Sequence, residues 1–456
     1  MARTAKKEKA LTPEEKLAQA LVPDVEQPYR VPENWCWVKW GNVGEFVAGS
    51  GFKNEYQGFT EYEIPFYKVG SLKNSDTHGF IYDNSNTINE EIRLKLKANI
   101  IPPYSVLFAK IGEAIRLNRR SINEIACCID NNMMAFIPKC LMRYAFYWTC
   151  GVDLYEYANA TTVPAIRKSD LEMIPFPLAP LAEQQRIVDR IESLFAKLDE
   201  AKEKAQIVVD GFEDRRAAIL HKAFTGELTV EWRKVNGSGC DSWGIKSVDS
   251  ICHSLKYGTA KKSEATGPVV VIRMGNLQQG EIDWTGLAFT TDEDDIEKYR
   301  LEPNDVLFNR TNSAALVGKT SIYRGEYPAI YAGYLIKLDY DHNVITGDYL
   351  NFALNTQDAK EYCNTVKTDG VNQSNINAKK IGAYRFPVPS KEEQEKIVEI
   401  LKELFEKEKQ AKEVAEQVID QIDTMKKSIL ARAFRCELGT NDPADESAVE
   451  LLKRVL

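Results

Sequence analysis

Ile174–Glu203 reads IPFPLAPLAEQQRIVDRIESLFAKLDEAKE, and Tyr384–Glu413 reads YRFPVPSKEEQEKIVEILKELFEKEKQAKE. The two stretches are parts of one longer match: residues 166–228 and 376–438 align without a gap, with about a third of the positions identical. Phe176-Pro177 matches Phe386-Pro387, Glu183-Gln184 matches Glu393-Gln394, and Leu194-Phe195 matches Leu404-Phe405. The ends match as well, Ala223-Phe224 with Ala433-Phe434 and Glu227-Leu228 with Glu437-Leu438. Chance does not align so long a stretch without a gap, so the chain is an internal duplication.

Each copy begins at a proline-bounded edge and continues as a long amphipathic helix. In the first, Ile187, Ile191, Leu194, Leu198, Ala201, Ala205, Val208, Phe212 and Ile219 fall at alternating steps of four and three; in the second, Ile397, Leu401, Leu404, Ala411, Ala415, Val418, Ile422, Met425 and Ile429 do so. That is a heptad seam, and no proline interrupts it between Ile187 and Ile219 or between Ile397 and Ile429. Some forty residues make a helix of about 60 Å. A single-seam helix of that length needs a partner, and its own copy is the obvious one. The seam breaks at two places: Glu408 stands where the first copy has Leu198, and Arg215 stands where the second has Met425. One antiparallel register puts Leu198 opposite Met425 and also Arg215 opposite Glu408, which avoids a mispaired charge. The expectation is therefore an antiparallel coiled coil with Arg215 beside Glu408.

The regions before the helices are rich in β-branched and aromatic residues with turn signals between short runs. Glu63–Val69 and Pro268–Met274 each run into a glycine, Gly70 or Gly275, and Val106-Leu107-Phe108 recurs as Val306-Leu307-Phe308 behind Pro103 and Pro303. Outside the helices the halves otherwise diverge. The expected fold is α+β: two mixed α/β domains separated by two long helices in a pseudo-twofold internal repeat. The expected divisions are a tail with a short helix (1–30), a first domain (31–179), a long helix (180–228), a linker (229–239), a second domain (240–389), a second long helix (390–438) and a C-terminal tail (439–456). Thr12-Pro13-Glu14-Glu15 has the pattern of a capping box, and Asp445–Leu456 has that of a short amphipathic helix.

The hydrophobic content of 44% and charged content of 28% are ordinary for a soluble protein. No apolar run is long enough to span a bilayer, and no apolar segment follows the basic residues near Met1. Nine scattered cysteines with no C-x-x-C pair point to reduced thiols in a cytoplasm. Four histidines, none at metal-ligand spacing, argue against a histidine-built metal centre. The net charge of −8 argues mildly against nucleic acid, although phosphate affinity follows local patches rather than the sum.

Over residues 31–438 the arrangement resembles the specificity subunit of a type I restriction–modification enzyme. The most specific pieces are the doubled P-x-x-x-E-Q-x-x-I-V helix entry (Pro180 to Val188; Ser390 replaces the proline in the second copy, beside Pro389) and the helix ends ILHKAFTGEL and ILARAFRCEL. The second end departs from the Phe-x-Gly-x-Leu pattern at Cys436, which affects its C-cap geometry. The resemblance implies two target recognition domains, each reading one half of a split double-stranded DNA sequence. It also implies that the helices act as a spacer and dock two methyltransferase (modification) subunits, with nuclease/translocase subunits joining that complex. No cofactor is implied for this chain; S-adenosylmethionine is expected in the modification subunit.

The expected DNA-binding residues lie in polar, cationic loops at matching places in the two halves. After each Val-Leu-Phe come Lys110, Arg116, Arg119 and Arg120 in the first half, and Asn309, Arg310, Thr311, Asn312 and Lys319 in the second. Before each long helix come Thr161, Thr162, Arg167 and Lys168, and Asn372, Gln373, Asn375 and Lys379. A third set is Lys256, Lys261 and Lys262, with Lys53 and Asn54 at the comparable place in the first half. Arginine forks guanine, asparagine pairs with adenine, and lysine mainly holds phosphate. The acidic run Asp292–Asp295 is expected to lie away from DNA, as a solvated loop or a helix start.

Ile101-Pro102-Pro103-Tyr104 is one letter from the Asn/Asp-Pro-Pro-Tyr signature of adenine-amine methyltransferases, and Val47–Phe52 (VAGSGF) looks like a cofactor-binding glycine loop. Yet Ile101 has no acceptor for the target amine, and VAGSGF runs into Lys53-Asn54-Glu55-Tyr56, which is not a clear helix start. The second half has LKYGTA there, keeping only Gly258, aligned with Gly51. The Glu200-x-Lys202 pair fits a nuclease only as letters, and there is no G-x-x-x-x-G-K-[S/T] loop. A non-catalytic DNA-binding subunit is therefore expected. The alternatives are a stand-alone adenine-specific DNA methyltransferase and a scaffold that does not read DNA.

Overall fold

The computed structural model describes residues 12–159, 163–236, 243–371 and 373–456. The chain forms two compact units, one running to Lys204 and including Val418–Leu456, the other spanning Ala205–Gln417. Each unit thus contains a domain and a stretch of both long helices.

In the first unit, Gly44–Ala48, Met133–Pro138, Val106–Ala109 and Arg120–Ile122 form an antiparallel sheet in that order. A second sheet orders Thr87–Ile88, Ile64–Tyr67 and Cys128–Ile129, with the last pair parallel. The second unit repeats both. Cys252–Tyr257, Leu335–Tyr340, Val306–Asn309 and Thr320–Ile322 form the first sheet, and Phe289–Thr290, Val269–Ile272 and Ala329–Tyr331 the second. The duplication therefore extends through the diverged domains.

Val-Leu-Phe is kept because it occupies a central strand buried on both faces. Val106 and Phe108 pack with Trp40, Phe136 and Trp148, whereas Leu107 joins Tyr67, Ile129 and Met133 on the other face. Val306 and Phe308 join Tyr349 and Ile336, and Leu307 joins Val270, Tyr331 and Leu335. The proline before each strand opens a tight turn. Tyr104 (φ 64°) and Asn304 (φ 76°) both take the left-handed conformation, and both donate N–H at 2.7 Å to the carbonyl of the paired segment, Asn123 or Tyr323.

The Glu-Gln helix entry has a double structural use. Gln184 accepts from Leu141 N at 2.9 Å and donates to Ala179 O at 2.8 Å; Gln394 does the same with Thr346 N and Pro389 O, both at 3.0 Å. These bonds fasten a domain helix to the long helix. The glutamate fastens the segment that leaves the other long helix. Glu393 accepts from Thr229 and Arg233, each at 2.7 Å, and from Trp243 Nε1 at 2.9 Å. Glu183 accepts from Thr440 at 2.6 Å and pairs with Arg186, which also binds Asp445. The helix entry and helix exit, repeated in both copies, therefore form one buried polar joint, made once in each unit.

The second long helix is continuous over Lys391–Phe434, 44 residues. The first departs from the expected single helix. It runs Leu181–Asp210, yields at Gly211, and resumes as Phe212–Phe224. A side chain at Gly211 would meet the Arg215 guanidinium, which reaches back to Val208 O at 2.8 Å. Arg215 also donates to Glu408 Oε2 at 2.7 Å. In the other unit Lys426 pairs with Asp199 at 2.5 Å and Lys202 with Asp423 at 3.8 Å. At the second helix exit Cys436 adopts a left-handed φ of 58°, the role Gly226 plays at 82° in the first.

Thr12 caps Pro13–Ala20 in a complete capping box, and the C-terminal helix spans Ala448–Val455. Ala20, Ala448 and Leu452 lie in the core of the first unit, so both end helices belong to it. Among the described residues no helix is long and apolar enough to cross a membrane.

Candidate nucleic-acid interface

Two of the three polar sets converge in each domain, because the loop after Val-Leu-Phe lies against the segment before the long helix. In the second domain Arg310 donates N–H to Tyr334 O at 3.0 Å and its carbonyl accepts from Ile376 N at 2.8 Å. Thr311–Asn312 then pairs with Ser374–Asn375, which pairs in turn with Thr368–Asp369. In the first domain Lys110 donates to Asn132 O at 2.8 Å and accepts from Ile166 N at 2.9 Å, while Ile111 bridges Ala165. Lys110 and Arg310 therefore occupy the same backbone slot.

The side chains around that slot differ. Arg310 lies 4.7 Å from the centre of the Tyr257 ring, and its Nη2 donates to Asn375 Oδ1 at 3.2 Å. Asn375 is held by Thr311 Oγ1 at 2.8 Å, and Tyr257 by the Ala378 N–H at 2.9 Å. In the first domain Lys110 is half-buried, and burial lowers its pKa. Arg116 stacks on Tyr155 at 3.6 Å from the ring centre and hydrogen-bonds its hydroxyl at 2.6 Å. Tyr155 and Tyr257 are the residues that sequence reasoning missed. Tyr257 sits next to Lys256 in sequence, but its contact with Arg310 is distant along the chain and leaves no local signal.

Three expected residues do not face outward. Arg120 is 7% exposed; burial pulls its pKa down to about 10, and it donates inward to Asn118 Oδ1 at 2.6 Å. Asn309 is fully buried on the central strand, at the place Ala109 holds in the first domain, so its amide cannot reach a base. Thr311 is 8% exposed and serves to hold Asn375. Arg116, Arg119, Arg167, Lys168, Gln373 and Lys379 are exposed, and Asn312 and Lys319 partly so. Thr161, Thr162 and Asn372 lie outside the described residues.

The third set does not join these loops as a free cationic patch. Lys53 pairs with Glu55 at 3.7 Å and Lys256 with Asp339 at 3.0 Å. Asn54 accepts from Gln57 at 3.2 Å, and Lys262 is exposed. Lys261 pairs with Asp292 at 2.6 Å and Asp295 at 3.5 Å. The acidic run is therefore a helix start, with Asp292 capping Glu293–Tyr299, that neutralises Lys261.

The glycines of VAGSGF have a local explanation. Gly49 and Gly258, not Gly51 and Gly258, are the matching pair. A Cβ at Gly49 would collide with Asp130 O, and one at Gly258 with Tyr331 O, whereas Gly51 faces open space. Each close approach sets up a parallel bridge, Ser50 to Asp130 and Thr259 to Ala332. Ile101, in the methyltransferase-like letters, is wholly buried.

Two like-built domains, each presenting a different polar face from one shared backbone and each joined to both long helices, define a two-headed recognition module. A family model described as "Type I restriction modification DNA specificity domain" matches residues 32–208 and 241–417, and the chain belongs to that family. It is a specificity subunit and not the catalytic part of such an enzyme. The type I restriction enzyme StySPI specificity subunit of Salmonella potsdam is 23% identical, over 93% of this chain and 96% of its own length. The EcoKI specificity subunit of Escherichia coli (strain K12) is 22% identical over the same shares. The crystal structure of the HsdS subunit from Thermoanaerobacter tengcongensis has the same fold, with a TM-score of 0.60 at 17% identity over 91% of this chain and 100% of that one.

Proposed function

We propose that this chain is the DNA-reading subunit of a cytoplasmic type I restriction–modification complex. Each domain takes one half of a split double-stranded target. The two long helices form one antiparallel coiled coil that sets the gap between the halves and docks two modification subunits. Those subunits supply S-adenosylmethionine and the adenine-methylating site, and nuclease/translocase subunits complete the assembly.

The observation that carries this reading is the shared slot. Lys110 and Arg310 leave equivalent strands and make equivalent backbone hydrogen bonds, yet they present different chemistry. A repeated frame with varied side chains suits two half-sites of different sequence, as a fixed pair of readers suits a fixed half-site spacing. The exposed cations Arg119, Arg167 and Lys379, which have no ion pair among the described residues, offer local phosphate contacts despite the net charge of −8, whereas Arg116 pairs with Glu113 at 2.9 Å and Lys168 with Glu172 at 3.7 Å.

The test is selection from random duplexes with the chain assembled on its modification partner. The expected product is a split motif with unequal halves and a constant gap. A pool with no enriched sequence would favour a scaffold that does not read DNA. Methyl transfer by the purified chain without its partner is expected to be absent, and its presence would favour the methyltransferase alternative.

A further inference from the structure

Arg310 is held as a reading head is held. A guanidinium carries five N–H donors. On Arg310, Nη2 donates sideways to Asn375 at 3.2 Å and Nη1 to Gly333 O at 3.3 Å, while Nε is buried without a partner among the described residues. One hydrogen on each terminal nitrogen is left over, so the end of the fork retains two donors. The Tyr257 ring, 42% exposed, lies beneath the guanidinium plane, and its hydroxyl is anchored by the start of helix Ala378–Gly382. No carboxylate pairs with Arg310 among the described ion pairs, unlike Lys256 and Lys261 of the same domain. A structural arginine in this chain looks different: Arg233 is 4% exposed and is paired with Glu393 at 2.7 Å.

Two remaining N–H donors on one guanidinium plane, held over Tyr257 and tied to Asn375 and Gly333, suit the O6 and N7 acceptors of guanine in the major groove. We infer that Arg310 reads a guanine in the half-site of the second domain, with Tyr257 and Asn375 as its positioning residues. This rests on the DNA reading proposed above and goes beyond it by assigning one base to one side chain.

The experiment compares motifs selected from random duplexes by the assembled complex carrying wild-type chain, Arg310→Lys, Tyr257→Leu or Tyr257→Phe. Arg310→Lys keeps the charge and loses the planar fork. It is expected to lower the preference for guanine at one position of the second half-site by about 5- to 150-fold. The first half-site and the gap should be unchanged, which also reports that the variant is folded and assembled. Tyr257→Leu should weaken the same preference by about 2- to 5-fold, and Tyr257→Phe, which keeps the ring, should weaken it least. If Arg310→Lys binds all sequences more weakly with no change of motif, Arg310 holds phosphate and the inference fails. If Arg310→Lys and Tyr257→Leu both lose the two half-sites together, the cluster only supports the fold and the inference also fails. A wild-type complex that selects no split motif removes the DNA reading itself, and this assignment with it, before any variant is compared.

Discussion

Strands Val106–Ala109 and Val306–Asn309 fill equivalent places in their two cores, yet one delivers Lys110 to its loop and the other Arg310. Within the cores the two domains agree to the level of single hydrogen bonds; in the loops they share backbone and little else. The fold holds fast where packing or buried hydrogen bonds constrain it and varies where they do not. Burial on both faces fixes Val-Leu-Phe, the polar joint fixes Glu-Gln, and the loop side chains are under neither constraint.

The largest expected effect comes from the joint. Glu393→Ala leaves Arg233 buried without its carboxylate, and should destabilise the second unit by roughly 3–5 kcal/mol. Glu183→Ala should cost the first unit less, about 1–3 kcal/mol, because the Arg186 side chain is 37% exposed and keeps Asp445. Hydrogen exchange followed separately in each unit checks both; equal losses would break the comparison. Next are the glycines. Gly49→Ala and Gly258→Ala should each destabilise by about 1–3 kcal/mol through backbone collision, whereas Gly51→Ala should stay within roughly 0.5 kcal/mol. Thermal unfolding of the three variants decides this, and a sensitive Gly51 would support pairing Gly51 rather than Gly49 with Gly258.

Tyr144 and Tyr349 donate to the Pro177 and Pro387 carbonyls at 2.6 and 2.9 Å. Replacing either with phenylalanine should cost about 1 kcal/mol, alike in both units. The smallest effect is expected at Arg215 and Glu408, whose side chains are 37% and 23% exposed. Glu408→Leu alone should cost about 0.5–1 kcal/mol, and the double replacement with Arg215→Leu should recover most of it. A double-mutant cycle by chemical denaturation measures the coupling.

Much of this was legible in the sequence. The ungapped repeat and the proline turn before each central strand follow from local pattern, whereas the seam was legible only in part: Ile187, Ile191, Ile397 and Leu401 are buried, but Met425, expected on the seam, is 46% exposed. The break at Gly211 was not legible, because the apolar seam passes through it and only the position of the Arg215 guanidinium explains it. Nor was the meaning of Glu183 and Glu393, whose partners lie far along the chain. For the expected DNA contacts, the sequence shows which segments are polar and cationic but not the directions of their side chains. Strand alternation and burial turned Asn309 and Arg120 inward, and acidic neighbours claimed Lys256 and Lys261. Tyr257 escaped notice because an aromatic platform is defined by what lies over it.

If one domain reads one half-site, the decisive measurement replaces residues 240–389 with a second copy of residues 31–179 and selects duplexes with the assembled complex. The expected motif has two halves that are inverted copies of the first-domain half-site. Retention of the original unequal halves would contradict this reading.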